Sequence, residues 1–276
     1  MSKRFANAVL YGVLTVMGAI TLSPLAFLIV NAFKSQSEIV SSPISLPTEW
    51  RWENLLRAIE EINFIPALII TFVVTAASVA LIVAVSSLAG WIIARSKSRL
   101  SSVALYFFTA AMLIPFQSVM YPLLSLFEGA GLKNIVGLIL MYGGFGLSLS
   151  VFLYHGFAKS IPKGIEEAAL IDGAGAVKMF TMVVFPLMKS TTATVIILNA
   201  MWIWNDYLLP FLVIGNGELR TLTLELYFAR MTAGQYGNPW ELIFPAVLIS
   251  IVPIVAVFLF LQKYIVRGVA EGAIKG

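Results

Sequence analysis

Long apolar stretches separated by short polar segments dominate the pattern along this chain. A helix that crosses the hydrocarbon core of a bilayer needs roughly 20 mostly apolar residues. Six stretches meet that length, near Val9–Phe33, Pro66–Ala94, Val103–Phe127, Ile135–Phe157, Thr191–Val213 and Leu242–Ile265. Backbone groups in lipid must be bonded internally, and the alternating pattern of a membrane barrel is missing. The pattern therefore predicts an all-α, polytopic membrane protein with six transmembrane helices.

Composition supports this prediction and excludes several classes of function. The 276 residues are 59% hydrophobic and 12% charged, whereas a soluble domain is about 45–50% apolar and about 25% charged. A soluble enzyme is therefore excluded. The sequence contains no cysteine and one histidine, His155. Disulfide scaffolds, thiolate catalysis and cysteine- or imidazole-based metal sites are excluded as well, so we expect no catalytic residue and no metal ligand.

Lysine and arginine are distributed unequally between the two sides that six spans define. The side with both termini, the 95–102 loop and the 158–190 segment carries twelve of them against four acids, a net +8. The other side carries six against ten acids, with the in-span acid included, a net −4. Cytoplasmic loops are enriched in Lys and Arg. The bias predicts that both termini are cytoplasmic, and it removes any need for a nucleic-acid partner to explain the overall +4.

The N-terminus and the loops complete the predicted organisation. Lys3 and Arg4 before an apolar run are also typical of a signal peptide. The run is longer than a signal core and no small-residue cleavage site follows, which favours a retained first span. Two outer segments, 34–65 and 215–241, are polar, and the second is either a binding loop or an ordered connector. No long linker is present, so we expect one integral membrane domain, 1–276.

The cytoplasmic segment 160–186 is longer than a simple connection requires. Ser160 and Pro162 are typical of a helix start, and Glu166 and Glu167 lie in the first turns, where carboxylates are favoured. Gly173 and Gly175 are expected to end this helix, with a second short helix from 176 to about 184. Such a helix–turn–helix fits either a groove on a partner or the surface of the bilayer, and the residues alone leave both open.

The same segment carries a spaced motif. Glu167-Ala168-Ala169 is followed after three residues by Gly173 and after nine more by Val183-Val184-Phe185-Pro186. The chain thereby resembles the permease subunits of binding-protein-dependent ABC importers, whose signature is Glu-Ala-Ala, three residues, Gly, nine residues, Ile-x-Leu-Pro. Val183 and Phe185 depart from it conservatively.

The resemblance covers most of the chain and is to the carbohydrate-uptake, or maltose-type, branch, specifically the shorter six-span partner of a heterodimeric pair. The matching runs are Asn31–Lys34, Ile114–Gln117, Tyr121–Leu123, Trp204–Pro210, Val266–Gly268 and Gly272–Gly276. The chain departs from the branch at two places. Ile69-Ile70 replaces a usual Asn-Ser pair, and Trp91 stands where Tyr is usual before Ala94-Arg95.

The resemblance implies a type I ABC-importer permease fold in a bacterial-type plasma (inner) membrane. It implies that 160–186 is a coupling helix that docks on a cytoplasmic ATPase. The residues carried over to that role are Glu166, Glu167, Ala168, Ala169, Asp172, Gly173 and Pro186. It also implies a second permease subunit, two copies of the ATPase and an extracytoplasmic solute-binding protein. ATP and Mg belong to the ATPase, and no cofactor is expected on this chain.

Polar residues inside the spans are candidates for the transport pathway, because ionisable groups are costly in lipid. Asp206 is the only carboxylate within the six stretches, and Asn199, Trp202 and Asp206 follow helical spacing that places them on one face. An amide, an indole and a carboxylate suit a sugar. The alternative is that Asn199 and Asp206 make structural contacts between neighbouring helices, and the residues leave both open. Asn205 and Gln117 join this candidate group, and Pro115 and Pro122 predict an irregular third span.

The energy source must lie outside this chain if transport is driven by ATP. The phosphate-binding pattern Gly-x4-Gly-Lys-Ser/Thr does not occur. We therefore expect a transport subunit rather than an enzyme, one that forms half of the pathway for a sugar or related solute. The alternatives are an ion-coupled secondary transporter, for which no inverted repeat is evident, and an ABC permease for a non-sugar solute such as glycerol phosphate.

Overall fold

The computed structural model describes residues 3–233 and 237–273, and within these ranges the secondary structure is helical and no strand occurs. The helices are α1 (Lys3–Ala32), α2 (Gln36–Ser41), α3 (Glu53–Glu61), α4 (Phe64–Arg95), α5 (Arg99–Ala111), α6 (Phe116–Gly129), α7 (Ile135–Ser160), α8 (Lys163–Ile171), α9 (Ala176–Lys178), a π-helical stretch (Met179–Val184), α10 (Phe185–Leu187), α11 (Lys189–Asn205), α12 (Leu208–Val213), α13 (Leu222–Ala233) and α14 (Trp240–Ala273). The all-α prediction is confirmed. The run Gly272–Gly276, which is one of the runs that carry the family resemblance, lies partly outside the described residues.

Four of the six predicted spans are continuous helices. Within α1, α4, α7 and α14, the stretches Asn7–Ala32, Phe64–Arg95, Ile135–Ser160 and Trp240–Phe260 are long and apolar enough to cross a bilayer. Two further pairs of helices reach that length only when each bent pair is taken as one span, which gives up to six spans in the described part of the chain.

The third predicted span is broken rather than continuous. Helices α5 and α6 meet at an angle of 105° across the break between Ala111 and Phe116. Pro115 lies at the break as the N-cap of α6, where its missing N–H costs no helical hydrogen bond. The irregularity predicted from the prolines is therefore present, and it takes the form of a sharp bend.

The fifth predicted span, Thr191–Val213, is wrong as one helix. Helix α11 ends at Asn205, and Asp206 is its C-cap with an extended backbone, ψ 130°. A carboxylate oxygen of Asp206 accepts a hydrogen bond from the backbone N–H of Leu208 at 3.0 Å, which starts α12. The bent partner of α11 is the segment Ala176–Leu187, at 76°. Asn199 and Trp202 lie on α11, but Asp206 lies beyond its end, so the three residues do not share one helical face as the spacing predicts.

The described residues divide into two compact units. One is drawn from Met1–Ala67 and Leu224–Pro253, the other from Leu68–Thr223 and Ile254–Gly276. In the first unit the polar segment after α1 is folded around buried polar groups. Lys34 is fully buried and donates to the carbonyl oxygens of Ser42 and Pro43 at 2.8 and 3.2 Å, and Asn54 donates to those of Ala32 and Lys34.

The second unit carries the predicted coupling segment and every candidate pathway residue. Its core is formed by buried apolar side chains of α4, α7, the π-helical stretch and α11, with Tyr142, Tyr154 and Ile82 among the largest of them. Helices α5 and α6 bury no residue fully. The small and bent elements of this unit are therefore held against a tight helical core.

Candidate functional site: coupling segment and transport pathway

The predicted coupling segment is a helix–turn–helix. Helix α8 starts after Pro162, so Ser160 belongs to the end of α7 and not to the helix start. Asp172 caps α8, and Gly173 turns the chain with φ +80°, a conformation that glycine adopts without steric cost. Gly175 follows as the N-cap of α9.

The second arm is longer than predicted and contains a π-helical stretch. It runs to Leu187 rather than to about residue 184. Phe185 donates its backbone N–H to the carbonyl of Phe180, five residues earlier. Pro186 follows directly, and a proline ring inside a helix removes one hydrogen bond and clashes with the preceding turn. The widened turn accommodates Pro186, which is half-buried, without ending the arm.

The two glutamates of the motif have different surroundings. Glu166 is paired with Arg95 at the end of α4, at 2.7 Å from Nη2 and 2.8 Å from Nε, and its carboxylate also accepts from the Trp91 indole at 3.3 Å. The exposed fractions of the two charged side chains are 17% for Arg95 and 13% for Glu166. Glu167 is exposed. Only Glu167 has its carboxylate free to face a partner.

The tip of the segment exposes apolar side chains. Leu170, Ile171 and Val177 have exposed fractions of 60%, 86% and 77%. Ala168, Asp172 and Gly173 are exposed beside them, whereas Ala169 packs against the core. We call Leu170, Ile171 and Val177 the apolar tip. An apolar patch rimmed by polar residues marks a site of contact with another surface.

Two of the candidate pathway residues, Trp202 and Asp206, contact the same tyrosine near the end of α11. The Tyr142 hydroxyl donates to a carboxylate oxygen of Asp206 at 2.9 Å, and the Tyr142 and Trp202 rings lie edge to face at 5.4 Å. The Thr223 hydroxyl donates to the Asp206 backbone carbonyl at 2.7 Å. Asp206 thus has several structural contacts, although it lies off the helical face that the spacing predicted.

Trp202 and Asn199 line a cavity of about 710 Å³ between the bend of α5 and α6 and the faces of α7 and α11. Its wall is mostly apolar, with Ser148 and Asn199 as polar groups. Asn199 is buried and donates to Ser150 at 3.1 Å and to the Val195 carbonyl at 2.8 Å. A side-chain carbon at Gly146 would lie 2.6 Å from the Asn199 carbonyl oxygen. Glycine is therefore needed there for the close approach of α7 and α11.

Gln117 and Asn205 lie apart from this cavity wall. Gln117 is exposed on the first turn of α6, and Asn205 is exposed with its side chain bonded to the Met201 carbonyl of its own helix. In the part of the chain that the structure describes, no group of three or more His, Asp or Glu side chains is placed to hold a metal ion.

Comparison with known proteins decides the family. Residues 86–271 match the family described as "Binding-protein-dependent transport system inner membrane component". The chain belongs to this family. It is a permease subunit of an ABC importer and a multi-pass membrane protein, as predicted, and a transport component rather than an enzyme.

Curated permeases resemble this permease over nearly its whole length. The probable starch degradation products transport system permease AmyC of Thermoanaerobacterium thermosulfurigenes is 38% identical over 94% of both chains. The melibiose/raffinose/stachyose import permease MelC of Bacillus subtilis is 34% identical, over 92% of this chain and 91% of its own. The multiple sugar-binding transport system permease MsmG of Streptococcus mutans is 32% identical over 96% of both.

A solved structure confirms the permease fold. The crystal structure of a bacterial ABC transporter involved in the import of the acidic polysaccharide alginate matches with a TM-score of 0.83. The match covers 96% of this permease and 98% of that chain at 20% identity, which shows likeness of fold. The prediction of a type I importer fold is confirmed at this level.

Sequence reasoning missed two groups of contacts in the permease. The sequence marks Arg95 as part of a motif and Trp91 as a departure from it, but neither spacing nor hydropathy links them to Glu166, about 70 residues away. Tyr142 has no distinct signal in the sequence, because it is a tyrosine within an apolar stretch. Its buried hydroxyl requires a partner, and Asp206 supplies it.

Proposed function

We propose that this permease forms half of the translocation pathway for a sugar. A second permease subunit forms the other half, two copies of a cytoplasmic ATPase supply the energy, and an external binding protein delivers the solute. The relatives support a sugar, since the three described above are named for starch degradation products, for melibiose, raffinose and stachyose, or for multiple sugars. The whole chain, 1–276, acts as one membrane domain.

The apolar tip is the observation that carries the ATPase assignment. Three large apolar side chains at a turn between two short helices lose contact with water when they enter a groove on another protein. Glu167 lies exposed beside them and offers a charge to such a partner. Ala168, Asp172 and Gly173 form the rest of the docking surface, and Glu166, Ala169 and Pro186 support it from the core side. ATP and Mg remain on the partner.

The cavity supports the solute assignment. Trp202 contributes an aromatic face for the C–H side of a sugar ring, and Asn199 and Ser148 contribute polar groups. Asp206 lies at the break between α11 and α12, next to Asn205 at the end of α11. Gln117 lies on an exposed face of α6, where a polar side chain suits a water-filled passage better than lipid.

The distribution of lysine and arginine supports an orientation with both termini in the cytoplasm. Because the chain has no cysteine, single cysteines at Lys163 and at Glu53 provide a direct test in intact cells. We expect the Glu53→Cys variant to react with an impermeant maleimide and the Lys163→Cys variant to react only after lysis. The reverse pattern would contradict the orientation.

The decisive experiment is purification of the complex followed by uptake in proteoliposomes. We expect an ATPase and a second permease chain to co-purify with this permease. With the binding protein added, ATP should drive uptake of a radiolabelled sugar from the panel maltotriose, raffinose and melibiose, and an ionophore should not abolish it. Uptake of glycerol 3-phosphate alone would contradict the sugar assignment, and elution without an ATPase would contradict the whole proposal.

A further inference from the structure

The Arg95 end of α4 contacts both arms of the coupling segment. Arg95 and Trp91 hold the Glu166 carboxylate of the first arm, and Arg95 also donates to the Ile161 carbonyl at 3.0 Å, just before that arm. The Trp91 ring packs on Phe180 of the second arm, with 5.5 Å between ring centroids. Two residues one helical turn apart therefore join both arms to a single helix.

The ion pair is not an ordinary surface pair. Exposed pairs contribute little because water screens them and because two long side chains must be ordered. Arg95 and Glu166 are both more than four-fifths buried, and the carboxylate accepts two guanidinium hydrogen bonds and one from the indole. Removal of one partner leaves the other as a largely buried, unpaired charge. The contact is therefore costly to break and holds α8 in one position on α4.

Helix α4 is held along its length as well. A side-chain carbon at Gly90 would lie 2.6 Å from the Cβ of Tyr154 and 2.9 Å from the backbone nitrogen of His155, so α4 and α7 are in close backbone contact there. Near the other end of α4, the buried Thr71 hydroxyl oxygen accepts the backbone N–H of Leu222 at 2.8 Å. The next residue, Thr223, donates to Asp206. Helix α4 thus connects the coupling segment with the residues that bound the break after α11.

We propose that Trp91 and Arg95 are positioning residues that clamp both arms of the coupling segment to α4, so that the segment and α4 move as one rigid body when the ATPase changes state. The inference rests on the proposed function, because it assigns the route by which movement of the docked segment reaches the pathway. Glu166 belongs to this clamp and Glu167 to the docking surface. Two adjacent glutamates therefore have separate roles. A chain of rigid, packed contacts is the physical form that such coupling takes.

The first test measures coupling in the complex reconstituted with its binding protein, with maltotriose as the probe. We expect Arg95→Ala and Glu166→Gln each to retain ATP hydrolysis but to lower the maltotriose imported per ATP hydrolysed by about tenfold. Glu167→Gln is expected to lower ATP hydrolysis itself, because it weakens docking. The matched control is Lys97→Ala, which removes an exposed positive charge close to Arg95 and should keep the wild-type ratio.

A charge exchange separates the clamp from general damage. The double variant Arg95→Glu with Glu166→Arg restores an ion pair with the two charges exchanged. We expect it to import nearly as much maltotriose per ATP hydrolysed as the wild type. A wild-type ratio in both single variants would overturn the inference, and so would failure of the exchange to recover any coupling. A wild-type complex that hydrolyses no ATP would overturn the proposed function and this inference with it.

The second test needs no solute. The cysteine-free chain accepts spin labels at Val85→Cys, ten residues and about 15 Å along α4 from Arg95, and at Lys163→Cys on α8. Double electron–electron resonance should give a narrow distribution of distances between the two labels. This distribution should be the same in the nucleotide-free complex and in the complex trapped with ATP and vanadate. The Arg95→Ala variant should broaden it. A wild-type distance that changes between the two states would overturn the rigid-body inference even if the docking of the ATPase is intact.

Discussion

Replacement of Gly173 by valine is expected to abolish solute-stimulated ATP hydrolysis by the assembled transporter while the chain still inserts into the membrane. Gly173 has φ +80°, a backbone conformation that costs a β-branched residue roughly 1–3 kcal/mol. Nothing packs on it, because an added side-chain carbon would meet no atom within 4 Å. The expected loss comes from backbone strain and not from crowding. The turn relaxes and displaces the apolar tip at Ile171 and Val177.

Gly175→Val is the matched control for this prediction. Gly175 lies two residues further on and is equally open, but its φ of −72° is available to any residue. We expect this variant to keep wild-type stimulation, with ATP hydrolysis measured in proteoliposomes and insertion measured by membrane content. Equal stimulation in the two variants would show that the turn geometry is not required for docking on the ATPase. Equal loss would indicate that the bulk of the side chain, rather than its backbone angle, is responsible.

This turn also illustrates what the sequence alone can predict. The helix–turn–helix is encoded within about 25 residues, and its signals are local, namely a proline start, glutamates in the first turns and glycines at the turn. The four continuous spans are likewise encoded by runs of apolar residues that need no knowledge of their neighbours. Such features were predicted with errors of only a few residues at their ends.

Contacts between distant segments could not be predicted in the same way. The motif marks Glu166 and Glu167 alike, and only the position of Arg95 in space distinguishes a buried, paired carboxylate from an exposed one. The apolar stretch also continues across Asp206 into α12, so hydropathy predicts a single helix. The Asp206 side chain instead accepts hydrogen bonds from Tyr142 and from the backbone of Leu208, and the helix ends there. One of the two groups that bond the Asp206 carboxylate at this helix end is 64 residues away in the sequence.

The short helices α2 and α3 were also beyond prediction from the sequence pattern. Their segment is polar and was predicted only as an outer loop. It folds through local caps and buried polar contacts, such as Ser35 accepting the N–H of Glu38. The backbone N–H of Thr48 lowers the pKa of Glu38 by bonding to its carboxylate, which ties the loop to α2. Loop composition carries no periodic signal for such a structure.

Trp202→Ala is expected to raise the KM for transported sugar about tenfold, the equivalent of about 1.4 kcal/mol in binding, without reducing the amount of complex in the membrane. Trp202 is 42% exposed and lines the cavity, and its ring lies edge to face with the Tyr142 ring. An aromatic face that is open to a cavity can pack against the C–H side of a sugar. Its removal enlarges the cavity and leaves the helical core intact.

Trp204→Ala provides the comparison, because the same substitution two residues away falls on the buried face of α11. Trp204 is 6% exposed and belongs to the core, and truncation of a buried aromatic costs about 3–5 kcal/mol. We expect less complex in the membrane and a lower Tm in detergent, with an unchanged KM in the complex that remains. Uptake kinetics normalised to the amount of complex separate the two effects. If Trp202→Ala instead lowers the Tm and leaves the KM unchanged, its ring is structural and the pathway passes elsewhere.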